Sequence, residues 1–211
     1  MQNDLKFLGR LFAKFAACTV FLALLAAAAF VGADAENMVS TEYMLVEWLQ
    51  ELFLLLIVLM HVWMAVKKPE SRQALVLVAG FFLCLFIREF DFLLDEIRHG
   101  FWFYIAMAVC LPALVYAASA LSKTVAGLAA YCRGEGFALT LSGLIIVMGF
   151  ARVFGMYKLW LGTGFEGNMR LIKNLVEEGS ELMAYGLMLL GSLFTVCEVR
   201  SRINAAKAAQ G

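Results

Sequence analysis

Two stretches of this chain place carboxylates at helical spacing inside apolar sequence. Val46-Glu47-Trp48-Leu49-Gln50-Glu51-Leu52 and Val176-Glu177-Glu178-Gly179-Ser180-Glu181-Leu182 share the pattern Val-Glu-x-x-x-Glu-Leu. Residues i and i+4 share a helix face, so Glu47 stacks on Glu51 and Glu177 on Glu181. A third stretch, from Arg88-Glu89 through Asp91 to Asp95-Glu96, sets Arg88, Asp91 and Asp95 on one face at i, i+3 and i+7, with Glu89 and Glu96 on another. Arg152 lies near the end of a further apolar run. Ionisable groups in lipid are costly, so they face a bundle interior or a water-filled cavity. Glu51, Arg88, Glu89, Arg152 and Glu181 are the deepest of the set.

The chemistry these groups offer is cation binding. Carboxylates held close together share protons or bind a cation. Glu47, Glu51, Glu89, Asp91, Glu177, Glu178 and Glu181 are the candidates to hold a cation or a proton. Arg88 and Arg152 are candidates to lock helices together or to hold an anion. A plainer reading stands beside this one. Charges at span ends sit in the interface and snorkel, and that reading suits Asp95, Glu96, Arg98, Lys158 and Glu166.

There are two histidines. His61 shares the face of Glu47 and Glu51 but lies deeper. It is a relay candidate toward the inside, or a buried polar residue bonded to a neighbouring helix. His99 follows Asp95 by four, so Asp95 and His99 form a weak candidate metal pair, or a solvated loop pair. No HExxH motif occurs, no phosphate-binding loop, and no GxSxG or SxxK nucleophile pattern. Cys18, Cys84, Cys110, Cys132 and Cys197 form no CxxC pair, and read as small buried hydrophobes.

The elements that must position these residues are transmembrane helices. Of 211 residues, 63% are hydrophobic and 16% charged, whereas a soluble domain has ~45–50% and ~25%. The apolar runs are long and continuous, as helices require, and lack the short alternating strands of a barrel. The fold expected is all-α: a polytopic transmembrane bundle forming one integral membrane domain over 1–211. Its six spans fall at about 15–31, 46–66, 74–94, 101–121, 137–157 and 175–196. Turn residues separate several of them, at Lys67–Ser71, Arg133–Gly136 and Gly162–Asn168. Trp48, Trp63, Trp102, Tyr104, Tyr157 and Trp160 fall near span ends, where aromatic belts form.

The first span, preceded by Lys6, Arg10 and Lys14 and ending in Ala33-Asp34-Ala35, also has the layout of a secretory signal. It is expected to remain as an anchor, and the other five spans read the same either way. With both termini cytoplasmic, eleven Lys and Arg fall on inside segments and six on outside ones, as the positive-inside rule requires. The acids then gather on the outer face, where the second, third, fifth and sixth spans have ends. Compact loops and short termini suit a bacterial inner membrane.

Balanced charge, 17 basic against 17 acidic residues, gives no field for nucleic acid. Three function classes remain. In the first, an outward-facing carboxylate vestibule binds or transports a proton, a divalent metal or a small amine. In the second, the acids hold a divalent cation such as Mg²⁺ and an arginine holds a phosphate, making a metal-dependent enzyme for a lipid-type substrate. In the third, the chain is a non-catalytic partner subunit or homo-oligomer, with Gly179, Ala184 and Gly191 supplying close helix contacts. The lipid bilayer is a partner in all three.

Overall fold

The computed structural model describes residues 2–36, 44–161 and 169–209. Every regular element among them is helical. Those that make or begin the six spans are α1 (Gln2–Glu36), α2 (Met44–Lys67), α3 (Arg72–Glu89), α5 (Phe101–Ala118), α7 (Phe137–Ile145) and α10 (Met169–Ala208). The helices α4 (Asp91–Asp95), α6 (Leu121–Cys132), α8 (Arg152–Phe154) and α9 (Tyr157–Trp160) join them. Among the described residues, six helical stretches are long and apolar enough to cross a membrane, the fifth running through α7 and α8. The chain is an integral membrane helical bundle.

Helix α10 is the hub. It packs against α1, α2 and α7, while α3 packs between α2 and α5 and also meets α6. The face of α2 turned to this core runs Val46, Gln50, Leu54, Ile57 and His61, none more than 1% exposed. From α10 come Leu182, Tyr185 and Met188, and from α3 Phe82. Lipid is as apolar as leucine, so close packing and interhelical hydrogen bonds hold such helices together. Glycines on α7 and α10 supply that closeness. A Cβ at Gly143 would lie 2.5 Å from the Ala184 carbonyl oxygen, and one at Gly136 would lie 2.5 Å from Thr195 Oγ1.

One end of the bundle is basic and tied across elements. Lys14 Nζ of α1 lies 2.5 Å from Glu135 between α6 and α7, and 5.3 Å from the Phe194 ring centroid. The Glu135 N–H donates to Glu198 Oε2 of α10 at 3.3 Å, and Arg202 holds the other oxygen of Glu198 at 2.5 Å. The Lys14 ammonium holds the Glu135 carboxyl below the usual carboxylate range. The N-terminal part of α1, the α6–α7 turn and the C-terminal part of α10 therefore share one end, as the even number of crossings requires.

Three departures from the sequence expectation stand out, the first and third of them toward the other end. The third span was expected to continue to residue 94, but α3 stops at Glu89 and Phe90 leaves helical geometry at φ −90°, ψ 17°. The Phe90 N–H bonds the Ile87 carbonyl, a tightened last turn. Arg88, Asp91 and Asp95 therefore do not share one straight face. Helix α6 follows the fourth span as a separate element, and its Tyr131 is buried. Third, the fifth span is not uniformly α. Residues Ile146–Ala151 form a π-helical segment, of a kind frequently found at functional sites.

Candidate functional site

The end opposite Lys14 gathers the start of α2, the end of α3, α8 and the start of α10. Its charges divide into a lock and an open vestibule, with Glu89 belonging to both.

The lock begins at Tyr185, fully buried on α10. Its hydroxyl donates to Glu89 Oε1 at 2.5 Å, and Arg88 Nη2 donates to the same oxygen at 2.7 Å. Arg88 Nη2 also stands 3.5 Å from Glu181 Oε1, and Arg152 Nη2 stands 4.0 Å from it. Glu181 thus receives one arginine from α3 and one from α8. A straight α-helix through the π segment would turn Arg152 by about 100°, so the wide turn aims this arginine at α10. Two arginines and two glutamates balance in charge. Ion pairs this poor in solvent are sustained only when their remaining lone pairs are also satisfied, and the Tyr185 hydroxyl serves that purpose. Arg88 Nε is buried with no hydrogen-bond partner among the described residues.

The vestibule is a cavity of about 230 Å³ lined by Glu47, Gln50, Glu51, Glu89, Asp91, Phe92 and Glu178. Gln50 fixes its inner wall. Its Nε2 donates to the Glu178 carbonyl at 3.1 Å and to the Glu178 carboxylate at 3.3 Å. Among the described residues, no lysine or arginine lies within ion-pair distance of Glu51, Asp91 or Glu178. The break at Phe90 is what turns Asp91 and Phe92 into this cavity. Had α3 continued, the chain would have carried them along the helix axis.

The remaining expected residues stand elsewhere. Glu177 pairs with Lys173 at 2.6 Å on its own helix and lies against Gly155. Neither Glu177 nor Glu181 lines the vestibule. Asp95 builds the α4–α5 turn. Its Oδ1 accepts from the Gly100 N–H at 2.8 Å and its Oδ2 pairs with His99 Nδ1 at 2.9 Å, while Gly100 supplies the positive φ of 76°. His61 is fully buried, with Nδ1 at 2.8 Å from the Ile57 carbonyl and Nε2 at 3.0 Å from the Tyr131 hydroxyl. A carbonyl only accepts, so Nδ1 carries the proton and Nε2 accepts from Tyr131. Phe82 packs beside the ring. His61 thereby links α2 to α6, with both nitrogens used. Glu42 and Glu166 lie outside the described residues, as do the side chains of Asp34, Glu36 and Arg170.

Among the described residues, no three His, Cys, Asp or Glu side chains are grouped to hold a metal ion. Gln50, Tyr185 and Tyr131 escaped the sequence reading because they carry no charge. Tyr185 was traceable in principle, since it follows Glu181 by four on one face. No protein-family model matches this chain. No curated protein and no solved structure does either. Function therefore rests on the geometry.

Proposed function

We propose that this chain captures a small ammonium cation in the carboxylate vestibule, which opens on the outer, periplasmic face of a bacterial inner membrane. The observation that carries the reading is the 230 Å³ cavity, which Glu51, Asp91 and Glu178 all line without a lysine or arginine in ion-pair reach of them among the described residues. Carboxylates held at one depth without a counter-charge favour a bound cation. Size and shape narrow the class. A water occupies ~30 Å³ of liquid volume, so the cavity admits an organic ammonium or a hydrated ion. A stripped divalent metal wants several converging oxygens, and the described carboxylates are not grouped that way. Phe92 on the wall adds an aromatic face, which attracts an ammonium.

Arg88 and Arg152 serve the lock in this reading. Both already face Glu181, so among the described residues neither lines the vestibule to hold a phosphate there. Beneath the vestibule, Leu54, Ile57, Phe82, Leu182 and Met188 fill the core with at most 1% exposure. The reading is accordingly one of binding at the outer end in this conformation.

The test is calorimetric titration of the purified full chain in lipid nanodiscs with methylammonium and, separately, with Mg²⁺. Methylammonium binds the wild type, and Glu51→Gln and Glu178→Gln each weaken it about tenfold, as the loss of one charge-assisted contact does. Asp95→Asn binds as the wild type does. Equal binding by all four proteins, or binding of Mg²⁺ alone, overturns the ammonium reading.

A further inference from the structure

A second cavity, independent of the cation reading, runs along the bundle's lipid side near the basic end. Helix α3 is recessed between α2 and α5. Its floor is the stripe Val76, Ala79, Gly80 and Leu83, spaced i, i+3, i+4 and i+7, so all four point into one furrow. Gly80 lets α5 approach this stripe closely. A Cβ at Gly80 would lie 2.9 Å from that of Ala113, so α5 sits close against α3 there. The walls are Val62 on α2 and Pro112 on α5, with Tyr116 further along.

The furrow has one charged end. Arg72, at the start of α3, lines it and is held there by its Nε, 3.3 Å from the Ala65 carbonyl. Lys67 and Lys68 lie just before it, Lys68 standing 3.8 Å from Glu70, and among the described residues Arg72 has no carboxylate within ion-pair distance. From Arg72 to Leu83 the helix rises about 16 Å, which matches the ~15 Å half-thickness of a bilayer's hydrocarbon core. The cavity volume is about 510 Å³.

We propose that this furrow is a binding site for an anionic phospholipid, one acyl chain lying on Val76–Leu83 and the phosphate at Arg72. Positive charge at one end only, with apolar walls over one leaflet's depth, selects an amphiphile with an anionic head. A basic residue at headgroup depth favours anionic lipid, and the guanidinium can bind two phosphate oxygens at once.

The experiment is native mass spectrometry of the full chain released from nanodiscs of phosphatidylglycerol and phosphatidylcholine in equal amounts. The wild type retains one phosphatidylglycerol in preference. Arg72→Gln lowers that preference about fivefold, the effect of one basic residue at an anionic surface. Val62→Trp, at a half-exposed wall position, fills the furrow and removes the retained lipid, while circular dichroism confirms its fold. Equal retention of both lipids by the wild type overturns the proposal. So does retention unchanged in a folded Val62→Trp protein, or a polypeptide copurifying in place of the lipid.

Discussion

At the scale of single residues, Glu181 and Glu89 are the most constrained groups in the molecule. Glu181, with 7% of its side chain exposed, answers Arg88 and Arg152 together. Removing its charge leaves Arg88 with Glu89 as its carboxylate partner among the described residues. Glu181→Gln is expected to destabilise the fold by about 2 kcal/mol, the scale of one lost contact between charged groups of low exposure. Most of that comes from Arg88, because Arg152 is half-exposed and water screens it. Tyr185→Phe removes a single hydrogen bond to a charged group and is expected to cost about 2 kcal/mol. Glu51→Gln, in the open vestibule, is expected to change stability little. Unfolding midpoints in detergent check all three, and an Glu51→Gln cost equal to that of Glu181→Gln contradicts the division into lock and vestibule. The charged members of this end were legible because a carboxylate in an apolar run stands out. Which carboxylate joins which group was not, since that depends on Gln50 and Tyr185, whose side chains are neutral and common in helices.

Among the elements, the α7–α10 contact shows how local sequence sets packing. Gly143 meets the Ala184 carbonyl, whereas nothing stands within 4 Å of a Cβ at Gly149 on the π segment. Gly143→Val is expected to push the two helices apart and cost about 3 kcal/mol, the upper range of overpacking. Gly149→Ala is expected to be neutral or to stabilise by about 0.5 kcal/mol through lower unfolded-state freedom. Equal destabilisation by both, measured by thermal unfolding in one detergent, contradicts the packing described. The spans themselves were readable from length and hydropathy, because lipid leaves the backbone no alternative to helix. The interruption at Phe90 was not, since neither glycine nor proline marks it. Nor was the wide turn at Ile146–Ala151, where the only local sign is Gly149 within an apolar run.

Over the whole molecule, one end is basic and cross-linked, and the other is acidic and hollow. The Lys14–Glu135 contact ties α1 to the α6–α7 turn at the basic end. Glu135 has its carboxyl held low by Lys14, so its contribution to stability is present above the ordinary glutamate value. It is lost as pH falls through the lower folded-state value. Wild type should therefore be more stable than Lys14→Met at neutral pH, and the gap should close as pH falls below about 4. A gap that stays constant across this range means the ion pair is not its source. Both partners are largely solvent-exposed, so the gap is expected to be small.

The proposed cation site joins these scales, and Phe92 offers the most direct access to it, because it lines the vestibule without being one of the carboxylates. Phe92→Cys, in a chain whose five native cysteines are replaced by alanine, is reconstituted in vesicles with known orientation. A cationic, membrane-impermeant thiol reagent is then added from one side at a time. The cation site predicts reaction from the outer side only, slowed by methylammonium, with that protection needing about tenfold more methylammonium when Glu178→Gln is added. Reaction from the inner side, or a rate indifferent to methylammonium, contradicts an outward-facing cation site.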